Sequence, residues 1–420
     1  MSGLLATDLE APGVLATAAR SLVNAHSELI LLATGPDNTS LLMTNNTLAS
    51  IASVGLRKHV LVMADSWDSC QRLARPCYWS SRVLNLPPSK SVANDLFWDW
   101  RFRFYYLKKH YMAELVRLGH HVLQADSDTI WEKDPFPMLR SMERSSIIVM
   151  ADMVIANAGM IFARPGSGRA LRILDDTAWR VQLMQNHPEA VAHIVSFAKG
   201  PRFFANSDDQ TLLNDAILSA VIDQPTWLGS TAKYEAANKY KPDGPNWSTL
   251  NESQVFRQQM NLLWSRKQVL KVRCPWTRTD ERYSFWPLGE HDGIAIAPRR
   301  IFGHLPYSEA TAITHLTAVR GFNAKMATMK SMGRWHPEKE LGRGSVVRMQ
   351  TNETSTGTST TVGRNGHVHA ERNGHVHAGR NGHVHAGSNG HVHAKPAKDH
   401  HVSFNWAGLF KKGRPPVSES

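Results

Sequence analysis

Short apolar runs that end at turn residues alternate with stretches of helical period along the first 165 residues. Leu29-Ile30-Leu31-Leu32-Ala33 stops at Thr34-Gly35-Pro36-Asp37, which predicts a buried strand ending in a turn. Residues 41–55 have a helical pattern that ends near Gly55, and His59 to Ala64 predicts a second strand closing on Asp65. From about Leu96 to Leu118 the apolar residues Phe104, Leu107, Tyr111, Leu115 and Leu118 recur at three and four, with Gly119 where a helix-ending glycine belongs. His121 to Ala125 predicts a third strand, leading directly into Asp126. Further strands are expected at Ser146–Met150 and Gly159–Ala163. Strand, helix, strand, helix, strand is the rhythm of an α/β, Rossmann-like, mostly parallel sheet flanked by helices. Such sheets bind ligands at the carboxyl ends of their strands, which puts Thr34, Asp65 and Asp126 on one rim.

The flanks read differently. Residues 1–27 look like an unpatterned leader, and from about Gly229 to Pro298 the abundance of Trp, Asn, Arg and turn residues predicts a loop-rich region. After about Glu338 the composition changes. Ser and Thr crowd positions 354–361, and an eight-residue unit containing Asn-Gly-His-Val-His-Ala then occurs four times between Gly363 and Ala394. One Val per unit cannot build a solenoid core, so residues 341–420 are expected to be a disordered low-complexity tail behind a folded domain at 28–340. The pairs His367/His369, His375/His377, His383/His385 and His391/His393 would lie on one side of an extended chain, where zinc, copper or nickel bind. A tolerated repeat expansion in a disordered tail is the preferred reading of these units.

Charge changes this picture little. The chain has a net charge of +12, and half of that excess lies in the tail, where ten Lys or Arg face four Asp or Glu. The mildly basic body suits an anionic ligand, and no interleaved basic and aromatic motif points to nucleic acid. Three cysteines make neither a disulfide scaffold nor a zinc framework; Cys70 and Cys77 could pair across a loop or stay free. No apolar stretch reaches the ~20 residues of a membrane span. Asp8, Glu10 and the lack of a basic start do not read as a signal peptide. Asn-x-Ser/Thr sequons at Asn38, Asn45, Asn246, Asn251 and Asn352 point weakly the other way, towards secretion; an N-terminus missing from the gene model would reconcile the two.

The segment richest in chemistry is Gln124-Ala125-Asp126-Ser127-Asp128-Thr129-Ile130-Trp131-Glu132-Lys133-Asp134-Pro135-Phe136. Two carboxylates one residue apart at a strand end can share a divalent cation, but a bare Asp-x-Asp is more often a solvated turn or an N-cap. The surroundings favour the cation. The helix ending Leu115-Val116-Arg117-Leu118-Gly119, the strand, Asp-x-Asp, Trp131 and Asp134-Pro135 resemble the nucleotide-diphospho-sugar transferase family that includes plant and algal arabinosyl-, xylosyl- and galactosyltransferases. Trp131 comes one place earlier than in that pattern. Asn157-Ala158-Gly159-Met160 resembles the family's Asn-Thr-Gly strand, with Ala158 for the usual Thr. Asp208-Asp209-Gln210 with Asn214, and His315 with Gly321 and Lys325, resemble its later segments. The resemblance spans about residues 28–338.

It implies a GT-A-like fold and a retaining, metal-dependent glycosyltransferase, hexosyl or pentosyl, that moves a sugar from a nucleotide diphosphate donor (UDP-sugar by expectation) to a glycan or glycoprotein. The loop-rich region would then lie on the acceptor side. Asp126, Asp128 and His315 would hold Mn²⁺ or Mg²⁺. Thr34, Asp65, Lys108, Ser127, Gly321 and Lys325 would bind the nucleotide, although Lys109 competes with Lys108 in the opposite register. Asp152, Asn157 and Gly159 would face the sugar or acceptor. Asp208, Asp209 and Gln210 would serve catalysis, although Asp208 and Asp209 could equally cap the helix carrying Leu212 and Leu213. A Golgi or other secretory location follows from the resemblance alone. The rival readings are a sugar- or partner-binding protein without turnover, towards which Ala158 leans, and a carrier for a histidine-rich metal-binding tail.

Overall fold

The computed structural model describes residues 6–336 apart from 74–75, 86–95, 153–155, 187–207, 224–225, 227–257, 260, 291, 305–307, 318 and 320. The expected tail with its histidine pairs, and the sequons at Asn246, Asn251 and Asn352, lie outside the described residues.

The sheet is organised around β2 (Glu28–Thr34), buried along its whole length. Leu29, Leu31 and Ala33 enter one core and Ile30 and Leu32 the other, which is why this strand is apolar at consecutive positions. β2 lies parallel between β3 (Val60–Ala64) and β5 (His121–Ala125). Beyond β3 come β4 (Cys77–Trp79) and β1 (Ala6–Asp8), both parallel. On the other side β8 (Ala156–Ala163) runs antiparallel to β5 and to β7 (Ile147–Ala151). The ten-stranded order closes with β11 (Gly293–Ile296), β10 (Asp280–Pro287) and β9 (Gln268–Arg273).

Helices cover both faces. α1 (Val14–Leu22), α5 (Leu96–Arg117), α7 (Gly168–Asn186) and α8 (Asp209–Ile222) bury against one core. α2 (Asn38–Ser53) and α6 (Phe136–Ser141) bury against the other. Gly119 ends α5 at φ 88°, the left-handed conformation expected there. A three-stranded sheet of β12 (Phe302–Gly303), β13 (Ile313–His315) and β6 (Thr129–Trp131) follows the Asp-x-Asp turn. α9 (Phe322–Ser331) is the last described helix.

Three sequence expectations change. Residues 6–22 are not unpatterned: β1 extends the sheet and α1 packs on it. Glu10 between them accepts from the Ser80 and Tyr111 hydroxyls and pairs with Arg82. A three-residue strand and a nine-residue helix leave too little periodicity to read. The region expected to be loop-rich contains β9 to β11, whose antiparallel pairing extends the sheet. Asn45 is buried on α2, so that sequon cannot carry a glycan in the folded protein, whereas Asn38 is exposed. Cys70, on α3 (Trp67–Gln71), forms a disulfide with Cys77, and Cys274 is a buried free thiol.

Candidate metal and donor site

β5 delivers Asp126 to the rim, and the backbone of β8 receives it: the Asp126 amide donates to the Gly159 carbonyl at 2.8 Å. The chain then turns through Ser127 and Asp128 into β6, where Thr129 pairs with His315 of β13. That pairing brings two sequence-distant segments together. His315 Nε2 lies 3.0 Å from Asp128 Oδ1 and 3.9 Å from Asp126 Oδ2. Ligand atoms of Asp126, Asp128 and His315 all fall within 4.8 Å of one another.

Asn157 fixes the histidine ring. Its Oδ1 accepts from the Gly159 amide at 2.8 Å, while its Nδ2 donates to Asp152 Oδ2 at 2.8 Å and Gln210 Oε1 at 3.0 Å. This arrangement assigns the amide orientation. His315 Nδ1, 2.8 Å from the same Oδ1, must therefore carry a proton. Nε2 is left to face the aspartates, the arrangement of a metal-ligating imidazole whose far nitrogen is held by an acceptor. Burial pushes the His315 pKa down, but Asp128 and Asp126 outweigh it and hold the value above that of a free histidine. Metal at Nε2 would therefore displace a proton.

Gly159 makes room for that ring. A Cβ on it would lie 2.0 Å from His315 Cε1. Face parity on β8 also changes here: Ala156 and Ala158 face the same core as Ile161 and Ala163, and the register with β7 shifts between Val149 and Met150. The bulge turns the Asn157 side chain onto the rim side while the rest of β8 stays in the sheet.

Three lysines complete the cluster. Lys325 of α9 reaches Asp128 Oδ2. Burial raises the Asp128 pKa, but His315 and Lys325 outweigh it and keep this carboxyl well below the ordinary range. Lys108 of α5, buried, bridges Asp126 Oδ1 at 2.9 Å and Asp209 Oδ2 at 2.8 Å. Those two carboxylates overcome its burial and raise its pKa. Lys109, also buried, donates to Gln124 Oε1 at 2.6 Å and lies 3.7 Å from Asp209 Oδ2. Burial dominates there and lowers the Lys109 pKa to about 8.

Of the expected residues, Asp126, Asp128, His315, Lys108, Lys325, Asp152, Asn157, Gly159, Asp209 and Gln210 form one contiguous polar network. Asp208 does something else: its Oδ1 accepts from the Thr211 amide at 2.9 Å as the N-cap of α8, the alternative its position allowed. Thr34 ends β2, which neighbours β5, and Asp65 follows β3 on the far side of β2; Thr34 Oγ1 and Asp65 Oδ1 are buried without hydrogen-bond partners. Burial raises the Asp65 pKa. Ser127 presents its carbonyl inward to Thr47, and Gly321 starts α9 at φ 82°. The sequence alone assigns no role to Gln124 or Thr47, and it offers Lys109 only as a rival to Lys108. A Lys-Lys pair reads as a solvated face unless the helix carrying it is known to be buried at that point.

Residues 56–170, less than half of the chain, match the nucleotide-diphospho-sugar transferase family model. The matched segment includes Lys108, the Asp-x-Asp turn and Gly159, and the family is the one that the sequence resembles. No curated protein matches the chain. Among solved structures, the glycosyltransferase GlyE of Streptococcus pneumoniae TIGR4 is 12% identical over 57% of this chain and 62% of its own, with a TM-score of 0.26. The present chain thus spans less than two thirds of that enzyme. The galactosyltransferase LgtC, in complex with donor and acceptor sugar analogs, is 9% identical over 57% and 95%, TM-score 0.27. Mouse xyloside xylosyltransferase 1 is 10% identical over 45% and 81%, TM-score 0.26. Scores of this size carry no argument; the family match and the site's own geometry do.

Proposed function

We propose that this protein is a divalent-cation-dependent glycosyltransferase that takes a sugar from a nucleoside diphosphate donor, with Asp126, Asp128 and His315 as the cation's protein ligands. The observation that carries the reading is the convergence of these three groups, with His315 held in the ligating tautomer by Asn157. Two carboxylates and an imidazole suit Mn²⁺ or Mg²⁺. A cation bound there supplies Lewis-acid stabilisation of the departing diphosphate.

The chain's own residues do the rest. Lys325 reaches Asp128 from α9, so its ammonium is within reach of an anion that shares a cation with that carboxylate and would carry part of the diphosphate charge. Thr34 and Asp65 offer buried polar atoms without partners to the nucleoside. Asp209, paired with Lys108 and close to Lys109, and Gln210, bonded to Asn157, are the candidates to face the sugar, since Asp208 caps a helix. An anionic Asp209 would favour a cation-like sugar in the transition state, consistent with the retention of configuration the resemblance implies. Ala158 does not favour a binding protein without turnover. Its side chain is buried in a core, and the site uses its carbonyl, which accepts from Gln124 at 3.1 Å.

The disulfide supports a secretory-pathway location and hence a glycan or glycoprotein acceptor. The decisive measurement is the dissociation constant of a panel of nucleoside diphosphates, uridine diphosphate first, for the full chain in Mn²⁺ and in EDTA. Without a cation the diphosphate meets two carboxylates, each repelling it by ~1 kcal/mol at 4 Å even in bulk water. Affinity at least tenfold higher in Mn²⁺ is expected. Equal affinity in both would remove the cation site.

A further inference from the structure

α2 carries four consecutive polar residues, Thr44, Asn45, Asn46 and Thr47, all buried. Burial of hydroxyls and amides inside a helix needs partners to offset it. Thr44 solves this locally, donating to the Ser40 carbonyl at 2.8 Å as helical threonines commonly do. Thr47 does not. Its hydroxyl reaches across to the Asp-x-Asp turn, 2.6 Å from the Ser127 carbonyl and 2.9 Å from the Thr129 carbonyl. These two carbonyls flank Asp128. The remaining carbonyls of the turn are also held: that of Asp126 by the Thr129 hydroxyl at 2.8 Å, and that of Asp128 by the Leu316 amide at 3.2 Å. Thr47 is thus the only side chain outside the turn seen, among the described residues, to fix its carbonyls.

Asn46 reaches the other way. Its Oδ1 accepts from the His336 amide at 2.6 Å, and its Nδ2 donates to Met329 Sδ at 3.2 Å. Met329 lies on α9, one turn after Lys325, and His336 lies just beyond that helix. Adjacent residues of one rigid helix therefore hold the turn that bears Asp128 and the helix that bears Lys325.

The geometry points to Asn46 and Thr47 as a bracket of positioning residues, Thr47 setting the cation ligands and Asn46 setting the lysine that meets the diphosphate. This rests on the functional reading above and deepens it, because neither residue touches cation or donor. It also gives the Asn45-Asn46-Thr47 sequon an internal role. The two halves should separate, since each acts on a different ligand.

The experiment reads nucleotide binding by the full chain as Mn²⁺ is titrated, so that cation held by the tail histidines contributes no signal. The probe is whichever nucleoside diphosphate binds the wild type most tightly. Thr47→Val, which keeps the shape and loses the hydroxyl, should raise the Mn²⁺ midpoint at least tenfold and leave nucleotide affinity at saturating Mn²⁺ within threefold. Thr47→Ser, which keeps the hydroxyl, should restore the wild-type midpoint. Asn46→Leu should do the reverse, weakening nucleotide at saturating Mn²⁺ by fivefold or more with the Mn²⁺ midpoint moved less than threefold. A folded Thr47→Val with a midpoint within twofold of wild type overturns the bracket. If Thr47→Val does not fold, Thr47→Ser decides alone, because a hydroxyl-based bracket requires its midpoint to be unchanged and a packing role for the methyl does not. A wild type that binds no nucleotide at any Mn²⁺ concentration would overturn the functional reading, and the bracket with it.

Discussion

Gly159 lies against the face of His315 so closely that a Cβ on it would come within 2.0 Å of the ring's Cε1. The neighbour is a buried ring held at both nitrogens, by Asn157 and Asp128, so it cannot step aside as a flexible chain end would. Gly159→Ala should therefore push His315 off Asp128, cost about 1–3 kcal/mol of stability, and weaken Mn²⁺-dependent nucleotide binding at least tenfold. Thermal melting and the nucleotide dissociation constant check it; wild-type values for both would mean the ring is not confined as described.

Asp128 is not a surface ligand that can be exchanged without structural cost. It accepts from His315 and Lys325 together. In Asp128→Asn both partners lose a charged acceptor, and stability should fall by about 1–3 kcal/mol alongside loss of transfer. Asp126→Asn should cost less, because Lys108 keeps Asp209 as a second partner. Urea unfolding of the two variants tests the order, and an Asp126 variant the less stable of the pair would contradict it.

The buried Lys109 gives stability a pH dependence of a definite sign. Its pKa falls from 10.5 to about 8 on folding, so between these values the unfolded chain holds a proton that the folded chain has lost. Stability from this group rises with pH across that window. Comparing wild type with Lys109→Met, which has no proton to lose, the melting temperature of the wild type should gain on that of the variant as pH rises from about 8 to 10.5. A difference that stays flat or moves the other way would mean Lys109 remains protonated in the folded state.

Cys70–Cys77 closes a loop beside β3 and Asp65. By loop-closure entropy a loop this short contributes about 2 kcal/mol. Reduction by dithiothreitol should lower the melting temperature by several degrees and weaken nucleotide binding through Asp65 more than it shifts the Mn²⁺ midpoint. Equal effects on both would mean the bond supports the whole rim rather than its nucleoside end.

What could be read from the sequence follows physical rules. β2, β3 and β5 are buried on both faces, so they appear as uninterrupted apolar runs, and α5 shows its period and its terminal glycine. β8 was half visible. Its first residues, Ala156-Asn157-Ala158, break the apolar run because the bulge turns Asn157 to the site. β9 stands at the sheet edge with β10 next to it, and exposed Lys271, Arg273 and Arg282 hide these strands among loop-like polar residues. The aspartates of the site were legible through their surroundings, the helix, strand, Trp131 and Asp134-Pro135 that resemble a known family, because a bare Asp-x-Asp also suits a solvated turn. Its positive half was only partly so: Lys108 and Lys325 came through family resemblance, whereas Lys109 is inward only because α5 is buried, which depends on α7 and not on any local spacing.

The N-terminal segment has a practical bearing on how this protein should be handled. Motif boundaries would invite cloning from residue 28, where the recognisable domain begins. That fragment would lack β1, leaving the long side of β4 open as an unpaired edge that invites association with other chains. It would also remove Glu10, stripping Tyr111 and Arg82 of their shared acceptor on the back of the helix that carries Lys108 and Lys109. Poor yield or aggregation of such a fragment would be a property of the cut, and preparations intended for donor-binding work should retain residues 6–27.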